Sequence, residues 1–458
     1  SYEDKIVSLA KADIGQGSAR YGFNGSVDLS GAEPVFQARL DSVRSNVVNI
    51  VALFYKKIPL DIIASGTLTF TGTAAWYAGT ARLELDAGSA YAESFDQGSL
   101  TAELTTGRIS FPRVELKKKN GTVIGKGWIG FDGTYEAHIE SRGQNLSEVD
   151  HLKMLSCSGP FILNIRSSGS FSAPKVNASA ESEQLAYRNV PLGPAHMQLL
   201  IQDAKLALAA QMGNGLVSVD GSWLLKAPYP WSLTANIKLE NADLSTLVTG
   251  NDVLAKMRVF AEGSVKARGR GVDAATIEGS SQIQKLGLAY GDLRLENEGV
   301  ADIRFAAGRV FVHSLTIAGP GTKLAVSGAS HIGEDVDFNF TGDANLSLLR
   351  VLFREIDHAD GAASVRLTVS EDWSNPDIAG ELTVRNGLFK IRDIPQKFTA
   401  LNGSLSFSNG RVVTESLSGE VGGGVITVTG NAQLNGSELL DFSTKATIEN
   451  VTVRYPPG

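Results

Sequence analysis

Apolar and polar residues alternate over short runs along almost the whole of this sequence of 458 residues. The runs are bounded by Gly, Asn or Asp, and Val365/Leu367/Val369 is a clear example. Successive side chains of a β-strand point to opposite faces of the sheet, so a period of two indicates strands with one apolar and one polar face. Between the runs stand dipeptides that tolerate positive φ in tight hairpins, namely Asn120-Gly121, Asn386-Gly387, Asn409-Gly410 and Asn435-Gly436. The pattern predicts an all-β, antiparallel protein.

Composition and charge argue against several classes of function. The chain has 42 Lys and Arg against 49 Asp and Glu, a net charge of −7, so it lacks the basic excess that nucleic-acid binding needs. Its 6 His are never at metal-ligand spacing and it has 1 Cys, so we expect no metal, no cofactor and no enzymatic activity. The longest apolar stretch, 47–54, is too short to span a bilayer. The triplet Lys117-Lys118-Lys119 predicts a solvated turn, with contact to acidic headgroups as the alternative.

An internal repeat appears when the chain is aligned with itself at a shift of 102 residues. At that shift Gly308-Arg309-Val310 recurs as Gly410-Arg411-Val412, and Val326 corresponds to Val428. Looser copies precede these two. We therefore predict one continuous β region over 1–458, with approximate repeats at 40–145, 146–243, 244–345 and 346–450.

Each repeat opens with a break in the strand pattern that predicts a short helix. In the fourth repeat, Asn345 or Ser347 is placed to cap the start of a helix whose apolar residues are Leu346, Leu349, Phe353 and Ile356. The first repeat shows the same spacing at Val43, Val47, Ile50, Val51, Phe54 and Ile58. Weaker helical patterns lie at 149–155 and 244–248. We interpret these helices as structural wedges between repeats.

The repeated phrases resemble a known family. Ala-Asp/Asn-Leu-Ser recurs at 242–245 and 344–347, and it is followed by Asn386-Gly387-Leu388, by the phrase at 402–407 and by the glycine-bounded run at 424–430. Together these residues resemble the TamB proteins of the AsmA-like superfamily, most strongly over 344–458. The last residues, 453–458, are similar to the segment before that family's C-terminal domain, so the sequence reads as a fragment of a longer chain.

The resemblance implies both a fold and a function. The implied fold is a long antiparallel repeating β-groove, a U-shaped "taco" solenoid whose concave face is apolar, with short helices at the repeat starts. The implied function is a periplasmic bridge-like conduit that carries phospholipid acyl chains between the inner and outer membranes of a Gram-negative-type bacterium. Family members reach the inner membrane through an N-terminal anchor and an outer-membrane barrel partner through the C-terminal domain, both outside this sequence. The alternative is a scaffold for outer-membrane protein assembly by strand addition at the groove rim.

A filled core would show the same alternation, and the pattern alone favours a filled sandwich or solenoid. Two features favour an open groove. The repeat of about 100 residues is far longer than the roughly 20–30 residues of a short solenoid coil, and no block of helices is available to cover a second face. With the resemblance added, the sequence favours the groove.

Large apolar residues at alternating positions are the predicted lining of the groove, where their role is contact with acyl chains. A slip of one residue in strand register would turn each of them to the other face. The predicted lining residues are Leu68, Phe70, Leu83, Leu85, Ile109, Phe111, Ile129, Phe131, Leu206, Leu208, Leu293, Leu295, Val310, Val312, Leu324, Val326, Phe338, Phe340, Leu405, Phe407, Ile426 and Val428.

Overall fold

The chain folds into antiparallel β structure, as the alternation predicts. The computed structural model describes residues 2–48, 59–187, 190–243, 258–271, 274–331, 334–352, 356–372, 375–392, 395–435 and 438–452. These residues form two compact units. Unit 1 comprises Ser1–Gly215 and Ser222–Lys226, and unit 2 comprises Leu216–Gly221 and Ala227–Gly458.

Unit 1 is a meander in which most strands pair with the strand before and the strand after. Its strands are β1 (Tyr2–Glu3), β2 (Ile6–Gln16), β3 (Ala19–Asp28), β4 (Val35–Asn46), β5 (Leu60–Asp61), β6 (Ile63–Gly72), β7 (Tyr77–Leu85), β8 (Gly88–Ala90), β9 (Glu93–Phe95), β10 (Gln97–Thr105), β11 (Arg108–Lys118), β12 (Gly121–Gly130), β13 (Thr134–Asn145), β14 (Cys157–Ser158), β15 (Pro160–Ser170), β16 (Ala173–Tyr187), β17 (Val190–Gln202) and β18 (Lys205–Met212). The short strands β5, β8 and β9 form a separate small sheet.

Unit 2 repeats this organisation. After β19 (Val217–Leu224), which contributes residues to both units, its strands are β20 (Pro230–Asp243), β21 (Arg258–Arg270), β22 (Glu278–Tyr290), β23 (Leu293–Asn297), β24 (Ala301–Ala306), β25 (Arg309–Gly319), β26 (Thr322–His331), β27 (Asp335–Asn345), β28 (Ile356–Asp372), β29 (Asn375–Ile391), β30 (Phe398–Ser408), β31 (Arg411–Val421), β32 (Gly424–Asn435) and β33 (Glu438–Glu449). Val310 and Val412 are both second in their strands, β25 and β31, as expected for a repeat of 102 residues.

Short helices stand where two repeats were predicted to begin. A 3₁₀ helix at Leu346–Leu348 leads into an α-helix at Leu349–Leu352, and 3₁₀ helices occupy Leu146–Glu148 and Asp150–Leu155. A further 3₁₀ turn lies at Ala274–Thr276. The Asn345 side chain caps the helix at Leu346–Leu348 by accepting a hydrogen bond from the Ser347 N–H at 2.7 Å. Asn145 caps the helix at Leu146–Glu148 in the same way. Two identical Asn-Leu-Ser triplets thus end a strand and begin a helix.

The helix predicted in the first repeat begins later than its spacing suggested. Val43 lies in strand β4, where Arg44 adopts a φ of 53° and the pairing with β6 shifts register between Ser42 and Ser45. A bulge therefore produces the break in alternation there. Residues 50–58 and the predicted helix at 244–248 lie outside the described residues, as does Phe353. Ile356 already belongs to strand β28.

The predicted hairpin dipeptides have different outcomes. Asn409 and Gly410 both have positive φ and form the β30–β31 turn, whereas the β11–β12 turn is formed by Lys119 and Asn120. The turn prediction was wrong for Asn386-Gly387, which lies inside strand β29 at a bulge opposite β30. At this bulge Asn386 alone has positive φ, whereas a type I′ hairpin turn needs positive φ at two residues. Asn-Gly tolerates both conformations, so the dipeptide alone does not separate them. Gly436 is outside the described residues.

Gly328 has a conformation and surroundings that a larger residue would disturb. Its φ is +146°, and an added Cβ would overlap the carbonyl oxygen of Asp337 and approach the ring of Phe338 to 2.9 Å. We expect Gly328→Ala to lower the free energy of unfolding of unit 2 by about 1–3 kcal/mol, as measured by denaturant titration. Ser327→Ala, at the exposed neighbouring position, should change it by less than about 0.5 kcal/mol. Equal stability of Gly328→Ala and the natural chain would refute this explanation of the glycine.

Candidate functional site

The pairing register places the large apolar residues of unit 1 on one face of its sheet. Phe70 lies opposite Gly79, which lies opposite Leu104 on the next strand. Leu104 in turn lies opposite Ile109, and Ile109 opposite Ile129. Directly opposed residues of antiparallel strands project to the same face. By the same relation this apolar face also carries the predicted lining residues Leu68, Leu83, Leu85, Phe111, Leu206 and Leu208.

Unit 2 has an apolar face built in the same way. Val326 lies opposite Phe340, and Phe340 lies opposite Leu367. The pairings bring to this face the other predicted lining residues of the unit, Leu293, Leu295, Val310, Val312, Leu324, Phe338, Leu405, Phe407, Ile426 and Val428. Further apolar residues that show the same alternation belong to the two faces but were not among the predicted lining residues, among them Leu100, Ile139, Ile165, Leu199, Leu367 and Leu382.

The opposite face of each sheet is polar and carries hydrogen bonds and ion pairs between side chains, both within strands and between them. On unit 1 the hydroxyls of Thr69 and Thr80 lie 2.7 Å apart, and Arg39 contacts Asp41 at 2.9 Å. On unit 2 Thr368 donates a hydrogen bond to the side-chain oxygen of Asn339 at 2.9 Å. Each sheet therefore separates an apolar surface from a hydrophilic one by the thickness of a single backbone layer.

The apolar faces are closed towards one rim and open towards the other. The helix rim is the side of the strand ends at 86–96 and 146–156 in unit 1, and at 346–352 and 422–423 in unit 2. The turn rim is the opposite side, where short turns such as Thr106-Gly107 and Asn409-Gly410 join the strands. The predicted lining residues that are buried all lie on the helix-rim side, namely Leu83, Leu85, Leu295 and Ile426.

Towards the turn rim most of the large apolar side chains are only half-buried, although Val336 of unit 2 is buried. Phe70, Phe111 and Ile129 in unit 1, and Phe340 and Phe407 in unit 2, belong to this group. In a filled sandwich a second layer would bury such central strand residues completely. We call these half-buried residues of each apolar face the open strip of the unit, and they form the candidate site.

Side chains of the protein itself cover part of the predicted lining. Leu83 and Leu85, only 8% and 7% exposed, belong to a core cluster with Ile62, Ala64 and Phe95 under the small sheet. These two leucines stabilise the fold and are not available to a ligand in this structure. Phe131 also lies off the strip, because strand β12 ends at Gly130 and Phe131 occupies the following turn, 49% exposed at the turn rim.

A buried ion-pair network holds the helix rim of unit 1 together, and it corrects the prediction that Lys118 lies in a solvated turn. The Lys118 ammonium, whose side chain is 11% exposed, contacts Glu93 at 2.6 Å and Asp150 at 2.7 Å. Asp150 also accepts hydrogen bonds from the Ser94 hydroxyl and backbone N–H. The Lys118 ammonium, with Lys153 and Ser94, holds the pKa of Asp150 far below its usual range. Lys118 thus joins the small sheet to the 3₁₀ helix Asp150–Leu155.

Comparison with known proteins assigns this chain to no family, and the described residues contain neither a membrane-spanning helix nor a metal site. Among the residues the structure describes, no helix is long and apolar enough to cross a bilayer. In the same residues, no group of three or more His, Cys, Asp or Glu is arranged to hold a metal ion. A scan against models of protein families finds no match, and a search of curated proteins finds no significant relative.

Proposed function

We propose that this chain is a TamB-like β-groove protein that carries phospholipid across the periplasm of a Gram-negative-type bacterium. In this proposal the open strip of each unit holds acyl chains, and each unit supplies a stretch of the path between the inner and outer membranes. The observation that carries the proposal is the half-burial of large apolar residues along both strips, including Phe70, Phe111, Phe340 and Phe407. A soluble protein that had no ligand for these side chains would gain stability by covering them.

The cost of exposing lipid to water explains why such a surface would be needed. Transfer of acyl chains to water costs about 0.8 kcal/mol per methylene, so a phospholipid with about 30 methylenes faces on the order of 24 kcal/mol. An apolar strip that stays in contact with the chains removes most of this cost. The proposed role therefore needs no nucleophile, metal or nucleotide, and we infer no enzymatic activity.

The turn rim suits the boundary between acyl chains and headgroup. Trp76, Phe131 and Phe171 are exposed in turns at this rim of unit 1, and the Phe171 ring stacks on Tyr135 with centroids 5.1 Å apart. Aromatic side chains favour the border between an apolar phase and water. We infer that a lipid lies with its chains on the open strip and its headgroup in water beside these turns.

The proposed partners follow from the resemblance. An N-terminal inner-membrane anchor and a C-terminal domain that docks on an outer-membrane barrel would connect the strips to the two membranes. No nucleic acid is proposed as a partner. The polar faces, with their paired charges, would stay in water.

Photo-crosslinking from neighbouring positions tests the proposal on unit 1. With benzoylphenylalanine in place of Phe70 on the open strip, we expect crosslinks to a radiolabelled phospholipid. The same group in place of Thr69, which projects from the polar face, should give at most about a tenth of that yield. Equal yields from the two positions would contradict the proposed orientation. Crosslinks to an added outer-membrane β-strand peptide, with none to lipid, would instead support the strand-addition scaffold.

A further inference from the structure

The polar face of unit 1 contains a depression of about 750 Å³ between strands β11 and β17. Side chains of opposed strands meet there in register, since Lys126 lies opposite His138 and His138 opposite Arg166. In the adjacent row Trp128 lies opposite Glu136. Lys175 also lines the depression, from strand β16. By the pairing register, the side chains of Lys126, His138 and Arg166 project to the face opposite the open strip. Residues of the apolar rows, among them Phe111 and Val176, also line the depression.

Positive charge in the depression is not balanced by the protein. Among the described residues, no carboxylate forms an ion pair with Lys126, Arg166 or Lys175. Glu136 is the single lining carboxylate, and it accepts a hydrogen bond from the Trp128 indole N–H at 3.1 Å. Beside the lining, Glu140 contacts His138 at 3.2 Å and is also paired with Arg142.

Several other cations of unit 1 are paired with a carboxylate on their own strand. Arg39 pairs with Asp41, and Arg113 pairs with Glu115 at 2.6 Å. Two strand spacings of about 4.8 Å separate the backbones of Lys126 and Arg166, and neighbouring like charges destabilise a sheet. The net charge of the chain is −7, so cations gathered without counter-ions need an explanation of their own.

We propose that this depression binds a phosphate group. The ammonium groups of Lys126 and Lys175 and the guanidinium of Arg166 supply several donors to the oxygens of one tetrahedral anion. Arg108 adds positive charge at the margin, with its guanidinium carbon 5.8 Å from the centre of the Trp128 ring. A volume of about 750 Å³ has room for a phosphate carried on a larger polar molecule. The phosphate belongs to a soluble phosphorylated compound or to a phosphorylated lipid headgroup at a membrane surface. The site stands independently of lipid carriage on the opposite face.

Unit 2 supplies an internal control, a depression of about 730 Å³ on its own sheet. Lys266, Arg268 and Arg304 line it, but Arg268 pairs with Glu278 at 2.9 Å and Arg304 with Asp302 at 3.5 Å. The guanidinium charges are thus already balanced. We expect this second depression to bind phosphate much more weakly.

Titration calorimetry on the whole chain with inorganic pyrophosphate is the first arm of the test, and sedimentation with phosphatidylcholine vesicles with or without phosphatidic acid is the second. We expect saturable binding in at least one arm, weakened at least about tenfold by Lys126→Gln with Arg166→Gln. The matched pair Lys266→Gln with Arg268→Gln should leave it within about twofold. Binding of pyrophosphate identifies the soluble source, and binding confined to vesicles with phosphatidic acid identifies the headgroup.

Three results would overturn the proposal. The first is no saturable binding in either arm. The second is equal weakening by the two pairs of substitutions, which would indicate only a general effect of net charge. The third is unchanged affinity in the Lys126→Gln, Arg166→Gln chain. A circular dichroism melt of both variants shows whether the fold is retained, and because all four positions are exposed strand residues, we expect both melts to match the natural chain.

Discussion

Phe340→Asp is expected to lower the uptake of a fluorescent phospholipid at least about tenfold while the protein stays folded. Phe340 is half-buried at the centre of the open strip of unit 2, between Val326 and Leu367 on the neighbouring strands. A carboxylate at this position would have to lose its hydration wherever an acyl chain covers it, which costs several kcal/mol. Without lipid it can remain hydrated, so the effect on folding should be much smaller than the effect on uptake.

The control for this variant is the adjacent residue on the same strand. Asn339 points to the polar face, where its side-chain oxygen accepts a hydrogen bond from Thr368 that an aspartate could also accept. Asn339→Asp adds the same charge one residue away, and we expect lipid uptake within about twofold of the natural chain. Equal losses in the two variants would show that charge, and not the apolar strip, determines uptake. Full uptake by Phe340→Asp would remove Phe340 from the lipid path.

Lys118→Met is expected to lower the free energy of unfolding of unit 1 by about 2 kcal/mol, because it removes the ammonium group from the ion-pair network of the helix rim. The substitution keeps the length of the side chain but removes the cation that Glu93 and Asp150 share, so that Asp150 keeps Lys153 and Glu93 loses its ammonium partner. Loss of one partner from a buried pair costs about 3–5 kcal/mol, and the partial exposure of both carboxylates reduces this estimate. For a unit of this size the melting temperature should fall by roughly 4–8 °C.

Lys117→Gln is the matched control, because Lys117 is exposed on the same strand and its ion pair with Glu115 is long, at 3.9 Å. We expect that change to alter stability by less than about 0.5 kcal/mol. Differential scanning calorimetry would compare the two variants. If Lys118→Met melts together with Lys117→Gln, the network does not stabilise the helix rim. Hydrogen exchange at the small sheet, β5, β8 and β9, should rise only in Lys118→Met.

The alternation of residues was sufficient to predict the fold class and the face of most strand residues. For Phe338 and Phe340, or Ile109 and Phe111, the period of two fixes which neighbours share a face, and the structure joins them into one surface on each unit. Repetition at 102 residues adds a check, since Val326 and Val428 both stand fifth in their strands. These are local properties of the chain, and a sequence contains them directly.

Features that depend on distant partners could not be predicted in this way. Lys118 reads as one of three solvated lysines because Glu93 and Asp150 stand 25 and 32 residues away. Leu83 has the same local pattern as Phe70, but Phe95 and the small sheet cover Leu83 and leave Phe70 uncovered. In each case the decisive contact comes from another segment.

The phosphate depression was missed for the same reason. Lys126, Arg166 and Lys175 lie on three strands and belong to no sequence motif. The polar face of a sheet reads as uniformly hydrophilic in the sequence, and the balance between paired and unpaired charges depends on register. The depression could have been found by working out which charged residues lie opposite one another on strands β11 to β17. That step needs the positions of the bulges at Phe111/Val114 and Ser141/Gln144, which the sequence does not show.

Native mass spectrometry of the purified chain, followed by lipid extraction, tests the lipid-carrying open strip most directly. We predict mass increments of whole phospholipids on the folded protein, released by organic extraction and diminished in Phe340→Asp but retained in Asn339→Asp. A folded protein that carries no lipid after purification and takes up no fluorescent phospholipid would contradict the account.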